Sequence, residues 1–199
     1  AKAGKKASLS GIGDLFNSNS IGKIKDGIHI VDNYVNLQTR LKSVNDGSQT
    51  DAKLQKDVFA AANRSRGSYA DTLGTFSDLQ ASAGNAFGSN RETLAFAELM
   101  QKSFKLGGVD SAAQSSGIGR VTQAMGTGKI KSGDFDTITS NAPMMLHAME
   151  SFTGKSKAEL RGLAEQGTLT SDILKNSLFT ASDDINDKFS EMPMTFEDI

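Results

Sequence analysis

The chain has no cysteine and no tryptophan, and only two prolines, two histidines and two tyrosines in 199 residues. Without cysteine there is no disulfide framework, no thiolate metal site and no cysteine nucleophile. With His29 and His147 as the sole histidines, a zinc site would have to borrow carboxylates. Excess charge of either sign is also missing: Lys and Arg total 22 against 23 Asp and Glu. That balance argues against a dedicated nucleic-acid binder, which carries surplus positive charge. Long apolar runs are absent. The longest, residues 58–62 and 142–146, reach five residues, whereas a membrane span needs about twenty. The basic start, Ala1-Lys2-Ala3-Gly4-Lys5-Lys6, is not followed by an apolar stretch, so no secretion signal is expected. The missing initiator Met and the ending Glu197-Asp198-Ile199 suggest a processed product or a piece of something longer.

What is present points to helices. Apolar residues make up 37% and aromatics 7%, with 20 glycines. Scarce proline and few β-branched runs favour helix over strand. The length fits about one domain and can bury a core without covalent staples. The expected fold is all-α, with about seven or eight helices in a compact bundle and one long N-terminal amphipathic helix. Residues 1–19 read as a loose basic lead-in, 20–46 as the long helix and 47–196 as the helical domain.

The long helix rests on one stripe. Ile21, Ile24, Ile28, Val31, Tyr34, Leu37, Leu41 and Val44 recur at steps of three and four, the period of one helix face. Asn45-Asp46-Gly47-Ser48 stops it. Further helices are predicted over Gln49 to Arg64, from Ser68-x-x-Asp71 through Leu79, and after a Ser89–Glu92 capping box. Gly107-Gly108 would end that last one with a left-handed cap. Asp110 or Ser111 opens a helix through Met125, Ser156–Glu159 is another capping box, and Ile173 to Phe189 is the final helix.

Two turns look alike. Gly128-Lys129-Ile130-Lys131-Ser132 precedes Asp134-Phe135, and Gly167-Thr168-Leu169-Thr170-Ser171 precedes Asp172-Ile173. Each reads as a helix stop, an apolar anchor, then a serine N-cap with an acid in the first turn, where it complements the helix dipole. Positive φ is expected at Gly128 and Gly167.

Several blocks carry a resemblance. They are Gln123-Ala124-Met125-Gly126-Thr127-Gly128, Asn141-Ala142-Pro143, Gly154-Lys155-Ser156, Ala164-Glu165-Gln166-Gly167, Asn176-Ser177-Leu178-Phe179 and Met192-Pro193-Met194-Thr195-Phe196. Together, over about residues 70–196, they resemble the N-terminal conserved domain of phage tail tape measure proteins. The resemblance implies a structural component of a long-tailed phage or prophage tail. Such a protein sets tail length, scaffolds tube assembly and leaves ahead of the DNA at infection. It implies location in the virion tail, and in the host cytoplasm during assembly. The implied partners are other copies, the tail tube protein, tail assembly chaperones and tail-tip or hub proteins. It implies a structural role without catalysis; from the composition and run lengths above, no cofactor or metal, no sequence-specific nucleic acid and no membrane span in this piece are expected.

Other constellations hold residue types that can carry chemistry. Gly154-Lys155-Ser156 ends like a phosphate-binding loop, but position 149 is Met where a glycine is required, and a helix precedes it instead of a strand. Glu150-Ser151-Phe152 with Gly162-Leu163-Ala164-Glu165-Gln166 is faintly similar to a lytic transglycosylase, with Glu150 as general acid. The glutamine falls one residue late, and the downstream Ala-Tyr-Asn block is missing. A peptidoglycan-degrading domain is therefore an alternative reading, and a helical adaptor that docks tail-tip or chaperone proteins is another. His147 and Glu150 share a helix face, but two ligands do not make a metal site. Met144, Met145 and Met149 are dense enough for an adaptable interface, although core filling is their ordinary use. The stripe from Ile21 to Val44 suits either its own domain or an oligomer seam. Charge is segregated: residues 1–25 hold five lysines and one acid, and residues 183–199 hold six acids and one lysine. Two solvated tails or head-to-tail stacking of copies would both account for it.

Overall fold

Helix starts in this chain follow its side-chain caps. Thr50, Ser68, Ser89, Asp110, Ser156 and Thr170 each accept a hydrogen bond from the backbone N–H three residues on, satisfying a donor that the helix itself cannot. The computed structural model describes residues 35–194. The chain divides into two units, Ala1–Arg40 and Leu41–Ile199. Among the described residues there are ten α-helices: α1 (residues 35–44), α2 (Asp51–Arg64), α3 (Tyr69–Ala83), α4 (Asn90–Leu106), α5 (Ser111–Thr127), α6 (Ser132–Asn141), α7 (Pro143–Thr153), α8 (Lys157–Glu165), α9 (Ser171–Thr180) and α10 (Ser182–Glu191). A short 3-10 turn, Gly84–Ala86, follows α3.

The all-α expectation holds, with more helices than the seven or eight predicted. The stretch Ile173–Phe189, expected as one helix, is two. It breaks at Ala181, whose φ of −88° and ψ of 10° leave the helical region. The break lets α9 pack on α7 while α10 packs on α4. A second break falls at Ala142, held outside the helical region at φ −136° and ψ 73° because Pro143 disfavours the helical conformation in the residue before it. Pro143 then occupies the first turn of α7, where its missing N–H is harmless. Of the long N-terminal helix, residues 35–44 are helical; residues 21–34 lie outside the described part.

Some local expectations shift by a residue. The left-handed cap after α4 is Gly108, at φ +67°; Gly107 stays helical at φ −71°. Gly107 serves a different need, since a Cβ there would sit 2.0 Å from the Asn141 carbonyl oxygen. The Ser89 box is half formed. Ser89 caps Glu92 N–H, but the Glu92 carboxylate accepts from Gly88 N–H instead. The Ser156–Glu159 box is complete.

The core runs through α4, α5, α6, α7 and α9. Phe76, Phe96, Phe104 and Phe135 are fully buried, each contributing about 1.5–3 kcal/mol of apolar burial. Phe96 stands between Phe87 and Phe179, with ring centroids 5.3 and 6.3 Å away. Several polar groups inside are paired. Ser65 donates to Gln101 Oε1 at 2.8 Å. Asn90 ties the loop after α1 to α4, donating to Asn45 and Asp46 and accepting from Gln80.

Candidate functional site

The two look-alike turns meet. Gly128 and Gly167 both adopt left-handed φ, +75° and +68°. The chain is extended at Lys131 and at Thr170, just before the next helices, and the two segments meet in an antiparallel bridge between Lys129 and Thr170. Ile130 N–H donates to Leu169 O at 2.9 Å, and Ser171 N–H donates to Gly128 O at 3.1 Å. Ile130 and Leu169 are fully buried. The apolar anchors thus drop into the core while the backbones lock the α5–α6 turn to the α8–α9 turn. The caps lie one residue earlier than predicted. Thr170 caps α9, and Lys131 stands at the start of α6 without a side-chain bond.

The blocks read from the sequence occupy joints of this kind. In Gln123–Gly128, Ala124 and Met125 are buried. Gly126 lets α5 approach α3, since a Cβ there would lie 2.8 Å from Ser82 O. In Asn141-Ala142-Pro143, the Asn141 carbonyl abuts Gly107 and Ala142 is buried. Gly154 is a left-handed stop at φ +67°, and Ser156 caps α8. That tripeptide is fully used by the turn between two helices.

A second joint holds the C-terminal end. Arg66, left-handed at φ +53° in the α2–α3 turn, donates to the carbonyls of Phe189 at 3.2 Å, Met192 at 2.8 Å and Pro193 at 3.3 Å. Its guanidinium lies 4.7 Å from the centroid of the Phe189 ring, and Lys102 Nζ lies 5.5 Å from it. Lys102 also donates to Asn186 Oδ1 and Glu98 Oε1, both at 2.7 Å. Glu98 takes Arg64 on its other side. Burial pushes the Glu98 carboxyl up, but the hydrogen bonds from Arg64 and Lys102 outweigh it and hold the group below its ordinary value. Lys105 Nζ donates to the Arg66 carbonyl.

The residues singled out for chemistry do not gather. Met145 and Met149 are fully buried in the core and Met144 packs against it, so they fill space under α9. Of the stripe, Leu41 is buried and Leu37 and Val44 are half-buried; Ile21, Ile24, Ile28, Val31 and Tyr34 lie outside the described residues. His147 is exposed and Glu150 half-buried. One cleft of 280 Å³ is lined by Arg120, Thr127, Lys131 and Asp134. Another of 590 Å³ is lined by Ala83, Asn85, Gly126, Gly128, Asp172 and Lys175. Neither includes Glu150 or His147. Two of their cations already have partners: Arg120 meets Asp134 at 3.4 Å, and Lys175 donates to Ala86 O at 2.6 Å. Among the described residues, no group of three or more His, Asp or Glu is placed to hold a metal, and no helix is long and apolar enough to cross a membrane.

A family model described as tape measure protein matches residues 25–199. The chain belongs to the tape measure protein family. No curated protein and no solved structure matches it. Membership implies a part in determining phage tail length, and the joints just described are what the recognisable blocks of this tape measure chain build. Arg66, Glu98, Lys102 and the Asn45–Asp46–Asn90 contacts carry no periodic or motif signal, and sequence reading passed over them. The turn composition Ser65-Arg66-Gly67-Ser68 marks the place but not the partner.

Proposed function

We propose that this chain is a structural, non-catalytic part of a long-tailed phage or prophage tail. It sets tail length, scaffolds the tube during assembly in the host cytoplasm and leaves ahead of the DNA at infection. The observation that carries this reading is that Gln123–Gly128, Asn141–Pro143 and Gly154–Ser156, blocks shared with tape measure proteins, are spent on helix ends and helix-to-helix joints, while Asn176–Phe179 packs within α9. Gln166 falls one residue late and the downstream Ala-Tyr-Asn block is missing, which favours this reading over wall degradation.

Copies of the chain associate through the part of the stripe formed by Ile21, Ile24, Ile28, Val31 and Tyr34, Leu41 being spent within the chain's own core, and the assembled protein meets the tube protein, the tail assembly chaperones and the tip or hub. An in-frame deletion of residues 50–190 in the phage tests the length reading. Tails imaged by electron microscopy should shorten by about 1.5 Å per residue removed, the rise of a helix drawn out along the tube. Assembled tails of unchanged length would contradict it. Sedimentation of the Ile28→Asp variant should show a lower mass than the parent chain; equal masses would remove the stripe from the interface.

A further inference from the structure

We infer that α10, with the residues that follow it to Met194, is a releasable strap, fastened by Arg66 and able to leave while the rest of the bundle stays folded. Within α10 only Ile185 and Phe189 are buried. Its other ties are polar. Lys102 reaches Asn186, Lys188 Nζ lies 3.8 Å from Met144 Sδ, and Arg66 reaches three carbonyls and one ring. Water can replace each of these polar contacts when the helix departs, so losing them costs far less than exposing a core side chain.

The fastening has a direction. The carbonyls at the end of a helix lack partners within it and carry the negative end of its dipole. Arg66 adds a charged donor to the Phe189 carbonyl, which also accepts from Met192 N–H, and holds the Met192 and Pro193 carbonyls just past the helix, with Lys102 adding a second positive charge beside the Phe189 ring. The start of α10 is weak: Ala181 provides no side-chain cap. A helix of ten residues is not stable alone in water, so detaching and melting are one event. Release would uncover the Glu98–Lys102 pair on α4, the seat of Phe189 and the seat of Ile185 in the central core, and leave α4, α7 and α9 packed. A pull on the chain beyond α10 would therefore open this strap first, giving the bundle a staged response.

Amide hydrogen exchange on the full chain, followed peptide by peptide, tests this. In the parent protein, residues 182–191 should exchange by local opening, roughly tenfold or more faster than α7 and α9. Arg66→Gly keeps the left-handed turn and removes the guanidinium. It should speed exchange in 182–191 by a further factor of roughly ten, the scale of hydrogen bonds to a charged group, and leave α7 and α9 unchanged. Arg66→Lys, which keeps charge without the fork, should fall between the two. The inference is overturned if residues 182–191 exchange at the pace of α7 and α9 in the parent protein. It is equally overturned if Arg66→Gly leaves 182–191 unaltered, or accelerates every helix alike. The parent measurement stands whether or not the variant folds.

Discussion

The α7–α9 pair and the α10 packing are built from helices of nearly equal length, 11, 10 and 10 residues, yet different forces hold them. Between α7 and α9 the buried groups are Met145, Ala148, Met149, Leu174 and Leu178, with only serines added. On α10 two apolar side chains are helped by a clasp of cations, carbonyls and a ring. Water competes for the second kind of contact and not for the first. Cohesion of the bundle therefore follows apolar area, and hydrogen bonds decide how α10 is placed and how readily it leaves.

Equivalent truncations on the two sides should break this symmetry most visibly. Leu178→Ala removes a fully buried side chain from the centre and should lower global stability by about 2–5 kcal/mol in urea denaturation. Ile185→Ala, just as buried, should shift the global midpoint less, because α10 opens before the rest. Equal shifts would mean that α10 unfolds only with the core.

The paired turns come next in size. Gly128 and Gly167 have open space where a Cβ would go, so alanine meets no clash there and is opposed by the left-handed backbone alone. Each substitution should cost on the order of 1 kcal/mol, read as a lower melting temperature. Gly128→Ala and Gly167→Ala variants that melt like the parent would show that neither turn depends on its φ.

The smallest effect expected is the acid response of the clasp. Glu98 holds its charge to lower pH in the folded chain than in the unfolded one, whose ordinary value is 4.5. Above that value the stabilisation is fully present. Below it the unfolded chain takes up the proton first, so stability falls as pH drops toward and through the native value. Urea titrations across this range should show that fall flattened in Glu98→Gln. An unchanged slope would assign the acid sensitivity to other carboxylates, such as Asp46. There burial raises the group, but hydrogen bonds from Ser48 and the Asn90 backbone hold it lower overall.

Much of the local structure was legible. Ser68, Ser89, Asp110 and Ser156 were legible as the caps of four helices, because capping is a contest over N–H groups within one turn; Thr50 and Thr170, which cap two more, were not. Gly128, Gly154 and Gly167 were legible as stops for the same reason. The Ile173–Phe189 stretch was not, because its apolar spacing continues across Ala181 and the break answers to two different neighbours, α7 and α4. The three methionines show the same limit: their composition suits an interface or a core, and burial of Met145 and Met149 is settled by what packs over α7.

The sequence by itself determined the class of the fold, most helix starts, the two left-handed turns and the family, since each depends on residues within a few positions of one another or on blocks in fixed order. Only the tertiary structure decided that the two similar turns would pair with each other, and that Arg66 would reach the far end of the chain. Those contacts join residues distant in sequence. Their partners are mostly backbone carbonyls and N–H groups, which every residue type carries, so no side-chain pattern could announce them.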